Sequence, residues 1–304
     1  MREVVIIGGG PAGYAAGIYC ARAGLAPLLF TGKEMGGQIA LTDTIDNYPG
    51  FADSVGGFDL SDQMRRQAER FGTEIVQDVV AKVRFTEQPF EMTTANGETH
   101  QAKSVIVAAG ASYRRLGVPG EERLVGRGVS YCATCDGFFF KDQDVVVVGG
   151  GNSALDEAIF LTRIVKHVNI VHRRDELRAD KILQNKAMAT GKVSVIWDSV
   201  VTEIVGDEQV TGARLRNVKT QEERVIETPA VFIFIGFVPN TDLFKGQLDV
   251  DETGHLIVDS RQRTNIPGVF GAGDIHDSRY RQVATACGYG VMAALEAQRF
   301  LSGV

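Results

Sequence analysis

Apolar residues in this chain cluster in short unbroken runs, separated by longer stretches of mixed polarity. The runs at residues 4–7, 105–109 and 145–148 are each bounded by turn-forming residues. Such runs are typical of strands buried on both faces of a parallel sheet. The stretches at 14–23 and 60–71 carry a helical pattern instead. Buried strands that alternate with helices predict an α/β fold.

The run at 4–7 leads directly into a glycine-rich turn, GGGPAG at residues 8–13, and the helical pattern follows it. Gly8 allows the tight turn, Gly10 lets the backbone approach a pyrophosphate, and Gly13 permits close packing of the helix on the strand. The N–H groups at the start of the helix can hold the anion. Between a strand and a helix, this motif predicts a dinucleotide site.

The strand predicted at 26–30 ends at Thr31, where a dinucleotide site usually has an acid for the adenosine ribose. Glu34 follows three positions later, so the motif does not fix which residue contacts the ribose. Loop signals at 36–38 and 47–50 predict either segments that lie over a long cofactor or plain turns.

The first pattern is repeated in the middle of the chain. The run at 145–148 leads into GGGNSA at residues 149–154, with Ala154 at the position of Gly13. A strand at 168–171 follows, and the run at 231–236 corresponds to 105–110. One nucleotide-binding unit is therefore used twice.

The second copy has arginines where a site for NAD would have an acid. Arg173, Arg174 and Arg178 follow its second strand. Guanidinium groups hold phosphate by paired, charge-assisted hydrogen bonds, so this set predicts a site for the 2′-phosphate of NADP. The alternative is a solvated basic helix start in which Asp175 and Glu176 pair with the arginines.

Turn-forming residues near 113–120 and 240–246 predict that the second unit is inserted into the first. We predict an outer domain at 1–114 and 246–304 and an inserted domain at 115–245. In the return segment, Asp274 follows the strand predicted at 268–271. Its carboxylate could accept a hydrogen bond from a sugar-alcohol chain or cap a helix.

Cys132 and Cys135 lie in the inserted domain with two residues between them, a spacing at which a disulfide can be reduced and re-formed during a reaction. Asp136 beside them is either a general acid or a cap for the next turn. A zinc site would need more ligands, but Cys20 and Cys287 are isolated in the sequence, so we expect no metal.

A formal net charge of −6 with 44% apolar residues argues against a general binder of nucleic acid or of membrane surfaces. The chain enters its first strand at once, without a charged leader and apolar core, and no apolar run reaches the roughly 18 residues that span a bilayer. We therefore expect a cytoplasmic protein that binds neither nucleic acid nor membranes.

Over its full length the chain resembles the low-molecular-weight, bacterial-type thioredoxin reductases, which are class II pyridine nucleotide-disulfide oxidoreductases. The resemblance rests on GGGPAG, CATCDGFF, GGGNSA, HRRxxxR, IGFxPNT, GVFGAGD and RYRQ, in that order. It implies two Rossmann-like (three-layer ββα) domains, FAD in the outer domain and NADPH in the inserted one. It also implies a homodimer and a rotation of the domains within each catalytic cycle.

The resemblance further implies that electrons pass from NADPH through the flavin to the disulfide and on to thioredoxin or a thioredoxin-like protein. In this scheme Cys135 is the sulfur next to the flavin, and Cys132 is the thiol that attacks the partner. Phe138 and Phe139 fit a docking surface for the partner, although filling of the core is an equal contender for at least one ring of the run at 138–140.

The residues expected at the two cofactors form two sets. For FAD they are Gly8, Gly10, Pro11, Ala12, Gly13, Thr31, Glu34, Gly37, Gln38, Asn47, Val80, Ala109, Gly110, Gly273, Asp274, Arg281, Gln282 and Ala284. For NADPH they are Gly149, Gly151, Asn152, Ser153, Ala154, His172, Arg173, Arg174, Arg178, Ile235 and Gly236.

Two other functions remain open at this point. One is a related flavoenzyme with another donor, such as ferredoxin or a flavin protein, or another acceptor, such as a small disulfide, a peroxiredoxin-type partner or oxygen. The other is a non-catalytic nucleotide-sensing or structural protein that retains the fold, which would have no need of Cys132, Cys135 and Asp136.

Overall fold

The computed structural model describes residues 1–33, 35–42, 44–45 and 47–303. Its strands are β1 (Arg2–Ile7), β2 (Leu28–Phe30), β3 (Thr44–Ile45), β4 (Val55–Gly56), β5 (Glu74–Val76), β6 (Val80–Arg84), β7 (Phe90–Thr94), β8 (Thr99–Val107), β9 (Ala111–Tyr113), β10 (Val129–Ser130), β11 (Asp144–Val148), β12 (His167–Val171), β13 (Val193–Ile196), β14 (Ser199–Val205), β15 (Gly212–Asn217), β16 (Glu223–Glu227), β17 (Val231–Ile233), β18 (Phe237–Pro239) and β19 (Val269–Gly271). Its α-helices are α1 (Pro11–Arg22), α2 (Gly57–Phe71), α3 (Ala133–Asp136), α4 (Asn152–Leu161), α5 (Lys181–Ala189) and α6 (Val283–Ser302). Short 3₁₀ helices cover Gly37–Leu41, Glu122–Leu124, Gly137–Phe140, Asp242–Phe244 and Gly273–Ile275.

The first of two compact units comprises residues 1–42, 48–112 and 238–304. Its sheet has the order β5-β2-β1-β8-β7-β6, and β19 also pairs with β8. Strands β5, β2, β1, β8 and β19 run parallel, whereas β6 and β7 form an antiparallel arm. Ile7 lies opposite Phe30 and Val107 in this sheet, so three parallel strands end together beside the first glycine turn.

The second unit comprises residues 43–47 and 113–237. Its parallel sheet has the order β10-β17-β11-β12-β13, and β14, β15 and β16 form an antiparallel meander. Val145 and Val147 pack with Leu155 of α4, whereas Val146 and Val148 pack with residues of the meander. Alternate residues of one unbroken apolar run therefore fill two cores, one on each side of the sheet. This arrangement of helices, parallel sheet and meander confirms the predicted three-layer Rossmann-like fold.

The chain passes between the units through β9 and β18, which pair with each other. On the side of the first unit, Asn240 N–H donates to Gly110 O over 3.0 Å. On the side of the second, Arg114 N–H donates to Gly236 O over 3.0 Å. The change of unit at 237–238 comes earlier in the chain than the predicted boundary at 245–246.

Several elements differ in extent from those predicted. The strand expected at 26–30 begins at Leu28, because Ala26 has a positive φ of 42° and Pro27 has no N–H to donate to a sheet. Helix α2 begins at Gly57, three residues before the predicted start. Cys20 is completely buried on α1. Among the described residues, none of the helices is both long and apolar enough to cross a membrane.

Candidate active site

The turn after β1 leaves open space in front of one glycine and none at two others. A Cβ at Gly8 would overlap the carbonyl oxygen of Ala108, and one at Gly13 would overlap the carbonyl oxygen of Gly8. At Gly10 the nearest atom would be Cα of Gly37, 3.9 Å away. Helix α1 begins at Pro11, and no side chain caps its N-terminus. The turn therefore presents uncapped N–H groups to open space, a suitable site for a pyrophosphate.

The segments around this turn were predicted separately and lie together in the structure. Gly36 N–H donates to Gly9 O over 3.0 Å, which places Gly37 against Gly10. Thr31 is buried beside the turn, since a Cβ on Gly9 would lie 2.6 Å from the Cβ of Thr31. Gln38 is half-buried in the following 3₁₀ helix. Glu34 lies outside the described residues.

Asp274 lies next to the start of α1. A Cβ on the preceding Gly273 would be 2.8 Å from the Cβ of Ala12. Burial raises the pKa of Asp274 to about 6, with a further contribution from Asp277 and an opposing one from Arg281. Asp274 is half-buried, and the hydroxyls of a sugar-alcohol chain can supply hydrogen-bond partners to a partly desolvated carboxyl. Asp274 does not cap the long helix that follows, because that helix begins after Gln282.

A loop between Asp274 and α6 is held by a carboxylate that the sequence did not single out. Asp277 accepts hydrogen bonds from the N–H groups of Arg279, Tyr280 and Arg281, over 2.9, 2.9 and 3.2 Å. Gln282 then caps α6 in a reciprocal capping box with Thr285. An Asp two to four residues before its donors is a usual turn signal, and it could have identified Asp277.

Four other residues expected at FAD have different surroundings. Val80 is only 6% exposed and packs in the core, so it can offer a ligand its main chain alone. Ala109 and Gly110 follow β8, and a Cβ at Gly110 would meet no atom within 4 Å. Asn47 is exposed and falls in the short segment grouped with the second unit.

The second glycine turn has the same construction. A Cβ at Gly149 would lie 2.5 Å from the carbonyl oxygen of Phe234, whereas one at Gly151 would meet only Nη2 of Arg178, at 3.9 Å. No side chain caps α4. The side chain of Asn152 instead exchanges two hydrogen bonds with Asp180, over 2.8 and 2.9 Å. The second glycine turn therefore has uncapped N–H groups, and the guanidinium of Arg178 lies close to Gly151.

The three arginines are exposed after β12, in a segment of bends between β12 and α5 rather than in a helix start. Arg178 is fixed to the turn by its N–H, which donates to Gly150 O over 2.7 Å. Asp175, the acid that follows Arg174, pairs with Lys219 at 2.9 Å. Lys219 also pairs with Asp198 at 3.0 Å. Lys219 therefore pairs with one of the two acids, Asp175, that the alternative interpretation assigned to the arginines.

The ring of His172 packs against Gly150 of the second glycine turn. His172 is buried, and a Cβ at Gly150 would lie within 2.8 Å of its ring. Burial lowers the pKa of His172. Ser153 is exposed at the start of α4, whereas Ala154 is buried against Gly149. Ile235 and Gly236 follow β17, half-buried and exposed respectively.

Cys132 and Cys135 form a disulfide with an S–S distance of 2.07 Å. Cys132 precedes α3 and Asp136 ends it, with the N–H of Asp136 donating to Cys132 O over 3.2 Å. Asp136 makes no side-chain capping bond to the next turn. The hydroxyl oxygen of Thr134 lies 3.4 Å from the sulfur of Cys132. Both cysteines are half-buried, so the pair is held at the surface of the unit.

The three phenylalanines after the disulfide divide between surface and core. Phe138 is 65% exposed and Phe139 44% exposed. Phe140 packs edge-to-face on Phe232, with the ring centroids 5.8 Å apart. Two apolar rings therefore face solvent close to the disulfide.

Known proteins are similar to this chain over its full length. The family model for pyridine nucleotide-disulphide oxidoreductases matches residues 2–290. A thioredoxin reductase of Streptomyces coelicolor is 52% identical over 100% of this chain and 95% of its own. One of Rickettsia conorii is 51% identical over 99% of this chain and 98% of its own.

Solved structures are similar along the whole chain as well. The crystal structure of thioredoxin reductase from Streptococcus pyogenes superposes with a TM-score of 0.95 at 44% identity, covering 100% of this chain and 99% of its own. Thioredoxin reductase from Giardia duodenalis gives 0.93 at 39% identity, covering 99% of each chain. The chain therefore belongs to the pyridine nucleotide-disulphide oxidoreductase family and, within it, to the thioredoxin reductases of bacterial type.

Proposed function

We propose that this protein passes electrons from NADPH, through FAD and the Cys132–Cys135 disulfide, to thioredoxin or a thioredoxin-like protein. The observation that carries the proposal is the disulfide itself, formed between two half-buried cysteines of the unit that also has the arginine-flanked glycine turn. Relatives about half identical over the full chain are named thioredoxin reductase, which supports the same acceptor.

The residues of the first unit fit FAD. The uncapped start of α1 would hold the pyrophosphate at Gly10, and the half-buried carboxyl of Asp274 would accept hydrogen bonds from the ribityl hydroxyls. Thr31, beside the turn, would lie near the adenosine ribose, with its hydroxyl donating to Gly32 O over 3.2 Å. When bound, FAD accepts a hydride from NADPH and supplies the electron pair that reduces the disulfide.

The second unit fits NADPH. The start of α4, with Arg178 above Gly151, would hold the pyrophosphate. Arg173 and Arg174 are exposed next to it and would hold the 2′-phosphate, which distinguishes NADPH from NADH. The NADPH specificity makes ferredoxin or a flavin protein a poor substitute as donor.

The reduced cysteine pair performs the exchange with the acceptor. The thiolate of Cys132 attacks one sulfur of the partner's disulfide and forms a mixed disulfide, releasing the other sulfur as a thiolate. Asp136, the residue after Cys135, would donate a proton to a leaving thiolate. Cys135 then attacks Cys132, which re-forms the intramolecular disulfide and frees the reduced partner.

The exposed rings of Phe138 and Phe139 lie three and four residues beyond Cys135 and would contact the partner protein. The protein would work as a homodimer. It would be cytoplasmic, because four cysteines are too few for a secreted protein stabilised by structural disulfides, and thiols are kept reduced in the cytoplasm.

Turnover of the purified protein tests this function. Flavin absorbance should be present, NADPH should bleach it faster than NADH, and addition of thioredoxin with a dithiol reporter should sustain NADPH oxidation. Cys132→Ser and Cys135→Ser should both abolish thioredoxin reduction while flavin stays bound. Bleaching by neither nicotinamide would refute the function, and bleaching without thioredoxin reduction would refute the acceptor.

A further inference from the structure

The residue before Cys132 joins the disulfide to the strands that connect the units. The ring of Tyr131 stacks on that of Tyr113, with centroids 4.6 Å apart and planes 20° from parallel. Tyr113 in turn contacts Phe237, at 4.7 Å between centroids. Tyr113 ends β9 and Phe237 begins β18. The stack therefore leads from Cys132 to the entry and the exit of the second unit.

A buried carboxylate holds the other end of Tyr131. Glu121 is 2% exposed and accepts a hydrogen bond from the hydroxyl of Tyr131 over 2.8 Å. The same carboxylate accepts from the N–H groups of Leu116 and Gly117, over 2.9 and 2.7 Å, and more distantly from that of Val118 at 3.4 Å. A buried carboxylate is stable only with such donors around it.

The protonation of Tyr131 suits this role. Burial, followed by the hydrogen bond to Glu121, raises the pKa of Tyr131, so its hydroxyl remains a donor at neutral pH. Residues 116–118 come directly after β9, so Glu121 fixes Tyr131 to the segment that enters the second unit.

The main-chain N–H of Cys132 is bonded to a second residue, Ser130. Ser130 is buried, and its hydroxyl oxygen accepts the N–H of Cys132 over 3.1 Å. Ser130 belongs to β10, which pairs with β17 in the parallel sheet. The N–H of Cys132 is thus bonded to a residue of the sheet, and Cys132 directly follows the anchored tyrosine.

We infer that Glu121 and Tyr131 are positioning residues for disulfide exchange, which hold Cys132 at bonding distance from Cys135. The inference rests on the proposed function in one respect, since it takes the pair to alternate between disulfide and dithiol. If the hydroxyl of Tyr131 loses Glu121, Cys132 gains freedom, and the effective concentration of its sulfur at Cys135 falls. The equilibrium then shifts toward the dithiol.

Exchange with glutathione measures this directly, because one disulfide and two glutathiones give one dithiol and one glutathione disulfide. The holoprotein and its variants are equilibrated in glutathione buffers, and Cys132 and Cys135 are then alkylated and quantified by mass spectrometry. Tyr131→Phe keeps the ring but removes its hydroxyl, and Glu121→Gln keeps the size but removes the charge. Each should shift the equilibrium constant toward the dithiol by about three- to tenfold, as loss of one ordinary hydrogen bond would.

Glu122→Gln is the matched control, because Glu122 is the exposed neighbour that pairs with Arg115. It should leave the equilibrium constant unchanged. If Tyr131→Phe leaves the constant unchanged and lowers only the midpoint of thermal unfolding, Tyr131 is merely structural and the inference is wrong. An equal shift in Glu122→Gln would also overturn it.

Two features keep this result separate from the proposed function. The glutathione equilibrium needs neither NADPH nor thioredoxin, so it can be measured even if the protein reduces another acceptor. Tyr131→Phe retains the contacts of Glu121 with residues 116–118, so it decides the question if Glu121→Gln fails to fold.

Discussion

The ammonium group of Lys219 lies 2.9 Å from the carboxylate of Asp175, the acid that follows two of the three arginines after β12. The same ammonium lies 3.0 Å from Asp198. These pairs offset two negative charges close to the proposed site of the 2′-phosphate. If the 2′-phosphate binds at the arginines, Lys219, which comes from a turn between β15 and β16, would reduce the negative potential that this phosphate meets.

Replacing Lys219 with Ala should weaken NADPH binding selectively. With Asp175 and Asp198 no longer offset, we expect KM for NADPH to rise about two- to fivefold at low salt, the size of an exposed ion pair. The effect should fade at high ionic strength because the charges are exposed. KM for NADH should not change. Lys245→Ala, which removes a similar exposed pair with Asp242 in the first unit, is the control. An equal rise of KM for NADH in Lys219→Ala would contradict the explanation.

Arg178→Ala should have a larger effect on the same measurement. Hydrogen bonds to charged groups contribute about 1.5–3 kcal/mol, so KM for NADPH should rise about 10- to 100-fold. Arg163→Ala, an exposed arginine at the end of α4, should change it little. If both variants raise KM alike, the effect reflects net charge and not a phosphate contact.

Gly10→Ala should separate flavin binding from folding. A Cβ at Gly10 would meet only Cα of Gly37, at 3.9 Å, so the fold should tolerate it at a cost of about 1 kcal/mol for the poorer N-cap. The methyl group would nevertheless lie where the pyrophosphate must approach, so the protein should purify with little flavin. Absorbance at the flavin band and urea unfolding of the flavin-free protein measure the two effects.

Gly288→Ala serves as the control for this change, because a Cβ there would meet nothing within 4 Å and the residue lies on α6. It should retain flavin at the level of the unmodified protein. Full flavin retention in Gly10→Ala would show that the pyrophosphate lies elsewhere.

Asp274 should make the flavin-free protein less stable as the pH rises. Its pKa is raised from 3.8 to about 6 in the folded state, so between these values the folded protein binds a proton that the unfolded chain has lost. The stabilisation is complete below about pH 4 and is lost as the pH rises through 6. A shift of two units corresponds to at most about 3 kcal/mol.

Asp274→Asn should remove this pH dependence and make the flavin-free protein more stable at pH 7, while flavin binding becomes weaker. Urea unfolding at pH 4 and pH 7 measures the first effect, and flavin titration measures the second. A variant that is less stable at pH 7 without flavin would mean that the carboxylate has a stabilising partner within the protein.

The sequence predicted the fold closely because its signals were local. The run at 145–148 indicated a strand buried on both faces, and the structure shows alternate residues in two cores. Lys219 could not be predicted as a neighbour of Asp175, 44 residues away, because that contact depends on how the meander packs beside the sheet. The contact of Glu121 with Tyr131 could not be predicted for a different reason, because the sequence around Glu121 gives no indication that its carboxylate is buried.

The pairing of β9 with β18 means that residues 113–237, the long segment of the second unit, begin and end at adjacent points. A segment whose ends lie close together can be inserted into a domain, or removed from it, without distorting the fold of that domain. The first unit stays continuous across the insertion, because β19 pairs with β8 directly. We therefore expect that residues 113–237 could be exchanged between relatives as one segment, and that Cys132 and Cys135 would be exchanged with it.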